Sequence, residues 1–211
     1  MQTIVFSSQK GGSGKTTLCA HLAVEAERAG AGPVCVIDTD PQGTLATWHG
    51  RRAAESPQRA DLPFDQLVAG LSVLRTRGAA YCFIDTPPSR TDDTRALYQL
   101  ADLVIVPIRP SPSDLWAAVP TVELLRQERI PYMFVLNQTK AQARITAQVA
   151  AALSKHGQVA PEFVGDRTAY AGALTDGRTA PEVAPKGPAA IEMAALWASL
   201  RATLTLHSRQ E

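Results

Sequence analysis

The sequence predicts a doubly wound α/β fold, in which a mostly parallel sheet is flanked by helices. Short apolar runs alternate with stretches of helical periodicity along the chain. The runs are almost continuously apolar, which is typical of strands buried on both faces of a parallel sheet. With 211 residues, 45% of them hydrophobic and 19% charged, the chain can bury a sizeable core, and we expect one domain over residues 1–211.

The predicted elements follow from these runs in chain order. The strands are Thr3–Phe6, Val34–Ile37, Tyr81–Ile84, Leu103–Val106, Tyr132–Leu136 and Glu162–Val164. The helices are Thr16–Arg28, about Leu62–Arg77, Asp92–Leu100, Ser113–Glu128, Ile145–His156 and Ala189–Leu204. The polar segment Arg51–Pro63 is interpreted as a surface loop or a frayed helix end. Ligands of open α/β sheets bind at the carboxyl ends of the strands, so we expect the functional site there.

Composition and charge narrow the class of protein. No apolar run approaches the ~20 residues of a membrane helix, and the chain starts with a strand pattern instead of a signal peptide. The net charge of +1 neither indicates nor excludes a nucleic-acid partner. The cysteines lack metal-ligand spacing, and Cys35 and Cys82 are predicted to be buried thiols of a cytoplasmic protein. The four histidines are scattered, so they predict no metal site.

The segment K-G-G-S-G-K-T-T at residues 10–17 joins the first predicted strand to the first helix, as a phosphate-binding loop does. Glycines let successive backbone N–H groups point at an anion, and the helix adds its positive N-terminal end. Lys15 supplies charge for the outer phosphates, and the Thr16 hydroxyl suits Mg²⁺. A dinucleotide-binding loop fits less well, because Thr17 replaces its third glycine. The predicted phosphate-binding residues are Lys10, Gly11, Gly12, Ser13, Gly14, Lys15, Thr16 and Thr17.

Carboxylates follow the second and third predicted strands. Asp38 and Asp40 lie two residues apart beyond the second strand, and Asp85 ends the third in a Walker B pattern. We expect Asp38 and Asp85 beside Mg²⁺, Asp40 orienting the attacking water, and residues 86–89 forming a switch loop beside the γ-phosphate. The alternative is a simple turn built from Asp and Pro, and an acid at a strand end is common.

These motifs together resemble a known family. The second lysine, Lys10, resembles the deviant Walker A signature of the ParA/MinD class of P-loop ATPases. The sequences D-T-D-P-Q at residues 38–42 and I-D-T-P-P at residues 84–88 resemble the ParA family of DNA-partition ATPases, especially its small ParF-type members. The proline-rich segment at residues 106–114 resembles the one that helps form their nucleotide sandwich dimer. The resemblance covers nearly the whole chain, without the N-terminal helix-turn-helix extension of larger partition ATPases.

The resemblance implies a set of roles and partners. The cofactors would be ATP and Mg²⁺, and the catalytic residues would be Lys10, Lys15 and Asp40. Lys10 would reach across an ATP-dependent homodimer to the partner's nucleotide. Asn137 would contact adenine, although an Asn after a strand can also serve only as a cap or turn residue. Slow intrinsic turnover would be raised by a ParB-like or centromere-binding adaptor protein.

Relatives with this loop divide into classes that differ in what they bind. A partition or cargo-positioning ATPase would bind DNA without sequence preference, in the cytoplasm and on the nucleoid, through clustered cations. The candidate DNA contacts, which could equally be a solvated surface, are Lys140, Arg144, Arg167, Arg178, Lys186 and Arg201.

The other classes fit the sequence less well. A MinD-like membrane ATPase needs a basic amphipathic C-terminal helix. In Ala189–Leu204, Arg201 is the sole cation, and packing on the sheet accounts for the apolar stripe Ile191, Trp197, Leu200 and Leu204. We therefore expect no stable membrane association. ATP-dependent amidation or carboxylation needs a dedicated pocket, often with a glutaminase domain, for which the chain is too short and shows no cysteine–histidine pair. A nitrogenase-reductase-type ATPase would need cluster-binding cysteines.

Overall fold

The computed structural model describes residues 1–88 and 92–207. Within them lies a sheet of seven strands in the order β3-β2-β4-β1-β5-β6-β7, and every strand pairing is parallel. The strands are β1 Gln2–Phe6, β2 Val34–Asp38, β3 Gln58–Arg59, β4 Tyr81–Asp85, β5 Leu103–Ile108, β6 Tyr132–Leu136 and β7 Gln158–Val159. The helices are α1 Lys15–Arg28, α2 Thr44–Gly50, α3 Leu67–Thr76, α4 Asp92–Gln99, α5 Pro112–Gln127, α6 Arg144–Leu153, α7 Thr168–Leu174, α8 Ala180–Val183 and α9 Pro188–His207. The predicted fold class is confirmed.

Two hydrophobic cores cover the two faces of the sheet. Helices α1, α2, α7, α8 and α9 pack on one face, and α3, α4, α5 and α6 on the other. Successive strand residues alternate between the cores: Ile4 and Phe6 of β1 face the first, and Val5 faces the second. Burial on both faces explains why the strands are continuously apolar in the sequence.

Several elements differ from the sequence prediction, among them the short helices α7 and α8, where no helix was predicted. The predicted surface loop at residues 51–63 contains the edge strand β3, whose two polar residues give no apolar run. The seven-residue helix α2 is missing from the prediction, because only Leu45 and Trp48 are buried along it and so short a helix gives little periodicity. The last strand is β7 at Gln158–Val159, so the predicted strand Glu162–Val164 is wrong. There the Val164 N–H donates to the Leu136 carbonyl oxygen, and the Thr139 N–H donates to the Val164 carbonyl oxygen, but these bonds form no strand ladder.

The C-terminal helix α9 packs along α1 and the sheet. Trp197, Leu200 and Leu204 are buried, as predicted, but Ile191 is 62% exposed, so the prediction that it faces the sheet is wrong. Among the described residues, no helix combines the length and the apolarity needed to cross a bilayer. The cysteines Cys35 and Cys82 are buried, as the sequence predicts.

The arrangement of strands places one crevice at the carboxyl edge of the sheet. Strand β1 lies between β4 and β5. The chain leaves β1 into α1 on one face and leaves β5 into α5 on the other, so the order of connections reverses between these neighbours. Such switch points are where open α/β sheets bind ligands. The glycine loop after β1 lies there.

Candidate nucleotide-binding site

The loop between β1 and α1 has a backbone that only glycine tolerates at one position. Gly14 has φ +95°, and a Cβ built on it would lie 2.1 Å from the side-chain nitrogen of Asn137. Gly12 also has a positive φ, +74°. These conformations, which L side chains rarely adopt, turn the backbone tightly before α1. The predicted glycine requirement at the phosphate loop therefore has a clear structural basis at Gly14.

Helix α1 presents an uncapped N-terminus to this loop. Its N-cap residue is Gly14, and no side chain caps it. The first N–H groups of a helix have no acceptor within the helix, so they are available to an anion. Lys15, the first residue of the helix, is 7% exposed, and burial lowers its pKa, an effect that the charges of Asp85 and Asp40 oppose. A bound anion would therefore stabilise the Lys15 ammonium, which burial has deprived of contacts with water.

Asp85 and Thr16 form the polar floor of the site. The Thr16 hydroxyl donates to Asp85 Oδ2 at 2.5 Å, and Asp85 is fully buried. Burial raises the pKa of Asp85 to about 7, and the nearby charge of Asp38 adds to this rise. Among the described residues, Asp85 Oδ1 has no hydrogen-bond partner. A buried, partnerless carboxylate oxygen beside a threonine hydroxyl fits the oxygen ligand set of Mg²⁺ and its waters.

The segment after β2 is tied to the end of β4. Asp38 and Asp85 are register partners on the paired strands, and Thr39 donates from both its N–H and its hydroxyl to the Asp85 carbonyl oxygen. Asp38 accepts the backbone N–H groups of Asp40 and Ala46, at 3.0 and 2.9 Å. Asp40 accepts from the backbone N–H of Gln42 at 3.0 Å. The predicted metal and water-positioning carboxylates therefore lie together at one edge of the sheet, with Asp38 already fixing the loop.

Two amides after β6 brace the phosphate loop. Asn137 Nδ2 donates to the Ser13 carbonyl oxygen at 2.7 Å, and Gln138 Nε2 donates to the Gly12 carbonyl oxygen at 2.9 Å. Gln138 does so from a left-handed backbone with φ +54°. The adenine contact of Asn137 stays a prediction, and its amide nitrogen also holds the phosphate loop. Sequence reasoning did not find the bracing, because a lone Asn-Gln pair carries no motif.

The second lysine of the loop is held by residues of α5. Lys10 Nζ lies 2.9 Å from Asp114 Oδ1 and donates to the Ser113 hydroxyl at 2.6 Å. Arg109 Nε lies 2.8 Å from Asp114 Oδ2. Asp114 and Arg109 are site residues that the sequence prediction missed. The detectable signal was Ser111, whose hydroxyl caps α5 and bonds Asp114 three residues later.

The predicted DNA contacts are all exposed. Arg167 pairs with Glu192 and Arg178 with Asp176, and both arginines line a groove of about 620 Å³ beside α7 and α8. The remaining cations, none of which pairs with a described carboxylate, are Lys140, Arg144, Lys186 and Arg201. The last residue of the predicted switch loop, Ser89, lies outside the described residues.

The glycine loop between β1 and α1, with an acid ending the neighbouring strand β4, defines a P-loop nucleotide-binding protein. The family model described as the CobQ/CobB/MinD/ParA nucleotide binding domain matches residues 4–203. The chain belongs to this family, and the resemblance found from the motifs is confirmed.

Individual relatives agree with this assignment. The chain is 27% identical over 201 residues to the maintenance of carboxysome distribution protein A of Halothiobacillus neapolitanus. The matched region covers 90% of this chain and 91% of that protein. It is 28% identical over 160 residues to the protein ParA of Rhizobium radiobacter, with 74% and 68% covered. A chain of the MinC:MinD cell division protein complex of Aquifex aeolicus has the same fold, with a TM-score of 0.80, 17% identity and 96% of each chain covered.

Proposed function

We propose that this chain is a Mg²⁺-dependent ATPase of the ParA type, a single ATPase domain that closes as a dimer on ATP and positions DNA or another large cargo. The observation that carries the proposal is the loop itself, with Lys15 buried in it, a second lysine at residue 10 and Asp85 behind it. The relatives that distribute carboxysomes and the ParA relative support the cargo-positioning part.

The proposed roles combine the geometry of the site with the resemblance to the ParA/MinD class. Lys15 and the backbone of residues 11–16 grip the phosphates. Thr16 ligates Mg²⁺, with Asp38 and Asp85 around it, and Mg²⁺ when bound neutralises charge on the β- and γ-phosphates. Asp40 positions the attacking water, and Lys10 acts on the nucleotide of a second copy. Asn137 contacts adenine in addition to bracing the loop.

Non-specific DNA is the proposed binding partner of the dimer. A dimer brings two copies of each exposed cation to one assembly, which favours sequence-independent binding to phosphates. The better candidates are the cations that pair with no described carboxylate, because Arg167 and Arg178 already pair with carboxylates of this chain. They are Lys140, Arg144, Lys186 and Arg201. The protein would then be nucleoid-associated in the cytoplasm, and a ParB-like or centromere-binding adaptor would stimulate hydrolysis by completing the charge stabilisation.

The membrane alternative lacks support from the described residues. A MinD-like helix would present its apolar face to lipid, whereas Trp197, Leu200 and Leu204 of α9 are buried against the core. The MinD-containing complex shares the fold alone.

The experiment that tests the enzymatic part is phosphate release from ATP. Wild-type protein with Mg²⁺ should release phosphate slowly, and EDTA should stop it. Lys15→Ala should abolish release, because it removes the buried ammonium of the loop proposed to hold the phosphates. Lys155→Ala, an exposed lysine beyond α6, is the matched control and should behave as wild type. Undiminished phosphate release by Lys15→Ala would contradict the proposed site.

A further inference from the structure

Two cations share one carboxylate in the crevice between β1 and β5. Lys10 approaches from the loop after β1, and Arg109 and Asp114 come from the segment after β5. Lys10 Nζ lies 2.9 Å from Asp114 Oδ1. Arg109 donates from Nε to Oδ2 at 2.8 Å and from Nη2 to Oδ1 at 3.1 Å, which is a bidentate pair. The proposed function has no role for Arg109 or Asp114.

The buried Asp114 carboxylate needs a cationic partner whether or not Lys10 contacts it. Its side chain is only 3% exposed, and a buried carboxylate without a partner is strongly destabilising. Burial alone would raise the pKa of Asp114, but hydrogen bonds from Arg109, Lys10 and the Ser111 hydroxyl outweigh it and hold the pKa at about 2. If Lys10 were the sole cation, its departure would leave a buried and uncompensated charge.

The two cations are held in different ways. Lys10 and Arg109 are similarly exposed, 33% and 31%, but Lys10 offers a single ammonium on a flexible stem, so water takes over its contacts more easily. Arg109 uses two N–H groups in a planar fork, and its remaining nitrogen faces the phosphate loop, 3.8 Å from a Cβ built on Gly12. Arg109 is therefore the fixed partner of Asp114, and Lys10 is the displaceable one.

We propose that Arg109 is a positioning residue that makes Lys10 available to a second copy of this chain. Before dimerisation, Asp114 stores Lys10 at the edge of its own phosphate loop. When Lys10 turns toward the other copy's nucleotide, Arg109 keeps Asp114 paired, so the crevice retains no lone buried charge. This inference rests on the proposed role of Lys10 in the dimer, and it adds a device within each monomer.

The test compares dimer formation with nucleotide binding by the monomer. Sedimentation equilibrium with Mg²⁺ and AMPPNP gives the dimer dissociation constant, and titration with a fluorescent ADP analogue gives monomer binding. In Arg109→Met, Asp114 should retain Lys10, so the dimer should weaken on the order of tenfold. Affinity for the ADP analogue should change less than about twofold. Arg126→Met, an exposed arginine on α5, is the control and should match wild type.

The decisive variant removes the carboxylate as well. Arg109→Met with Asp114→Asn should restore the dimer to the wild-type level, because nothing then retains Lys10. A structural role for Arg109 in folding would not be rescued in this way. If Arg109→Met is too unstable to purify, Asp114→Asn alone decides: a dimer at least as tight as wild type supports the proposal, and a weaker one overturns it.

The outcomes separate this inference from the proposed function. Two results would overturn the role of Arg109 alone, provided that the wild type forms a dimer with AMPPNP. One is a dimer dissociation constant in Arg109→Met equal to that of the wild type, and the other is a weakened dimer that the double variant does not restore. If wild-type protein binds nucleotide yet forms no dimer, both the proposed dimeric ATPase and the role of Arg109 are wrong.

Discussion

A buried histidine behind the phosphate loop predicts a specific loss of stability in acid. His21 of α1 is fully buried. Its Nδ1 lies 2.8 Å from the Thr17 carbonyl oxygen, and its Nε2 lies 3.0 Å from the backbone nitrogen of Ala180 at the start of α8. The Ala180 N–H can only donate, so Nε2 must accept and the proton of the neutral ring sits on Nδ1. Protonation of Nε2 would break the contact that joins α1 to α8.

The magnitude follows from the pKa of the ring. Burial lowers the pKa of His21 from 6.5 to about 4. Because the folded-state pKa is the lower one, the unfolded chain takes up the proton first as the pH falls. The contribution of the neutral His21 ring to the free energy of unfolding is therefore present in full above about pH 6.5 and is lost as the pH falls toward 4. The loss amounts to about 2 kcal/mol at about pH 5 and about 3 kcal/mol at about pH 4.

Urea denaturation of the nucleotide-free protein measures this loss. The free energy of unfolding is compared for wild type, His21→Gln and His156→Gln, which removes an exposed ring, at about pH 7.5 and about pH 5. Other titrating groups cancel in the difference between variants. The stability advantage of wild type over His21→Gln should shrink by about 2 kcal/mol at the lower pH, whereas His156→Gln should follow wild type. An advantage that stays constant with pH would refute the neutral bridging ring.

Three further predictions concern the site itself. Asp40→Ala should leave ATP binding and dimerisation intact while abolishing phosphate release, and loss of nucleotide binding would contradict its role with water. Lys10→Ala should weaken ATP-driven dimerisation more than nucleotide binding by the monomer, and equal losses would argue against a role across the dimer. The folded-state pKa of Asp85 is about 7 against 3.8, so the unfolded chain loses this proton first and the unliganded fold becomes less stable as the pH rises from 3.8 to about 7. Asp85→Asn should therefore stabilise that fold by about 4 kcal/mol at about pH 8 in urea denaturation and have little effect at about pH 4, while nucleotide binding loses its Mg²⁺ dependence.

Strong local signals made much of the fold predictable. The apolar runs of β1, β2, β4, β5 and β6 are buried on both faces, so composition alone locates them. Strands β3 and β7 have two residues each and lie at the sheet edges. Neither residue pair is buried, so these strands show no apolar run in the sequence. Ile191 shows a similar limit in a helix: it was assigned to the apolar stripe of α9, but it lies outside the buried face and is exposed to solvent.

The candidate site was predictable where a residue type is required by its local backbone. Gly14 cannot carry a side chain, and Asp85 ends a buried strand, so both stand out in the sequence. The pairing of Lys10 with Asp114 joins residues 104 positions apart and depends on which loops meet at the switch point. The bracing by Gln138 likewise depends on a left-handed backbone that its sequence does not indicate.

The most direct test of the proposed function is binding to random-sequence duplex DNA. Binding is measured with ATP, with ADP and without nucleotide over a series of salt concentrations, and Lys15→Ala is the control. We predict binding only with ATP, falling steeply as salt rises, and absent in Lys15→Ala. Absence of binding in every nucleotide state would contradict a DNA-positioning ATPase, and binding that ignores nucleotide would contradict its control by the phosphate loop.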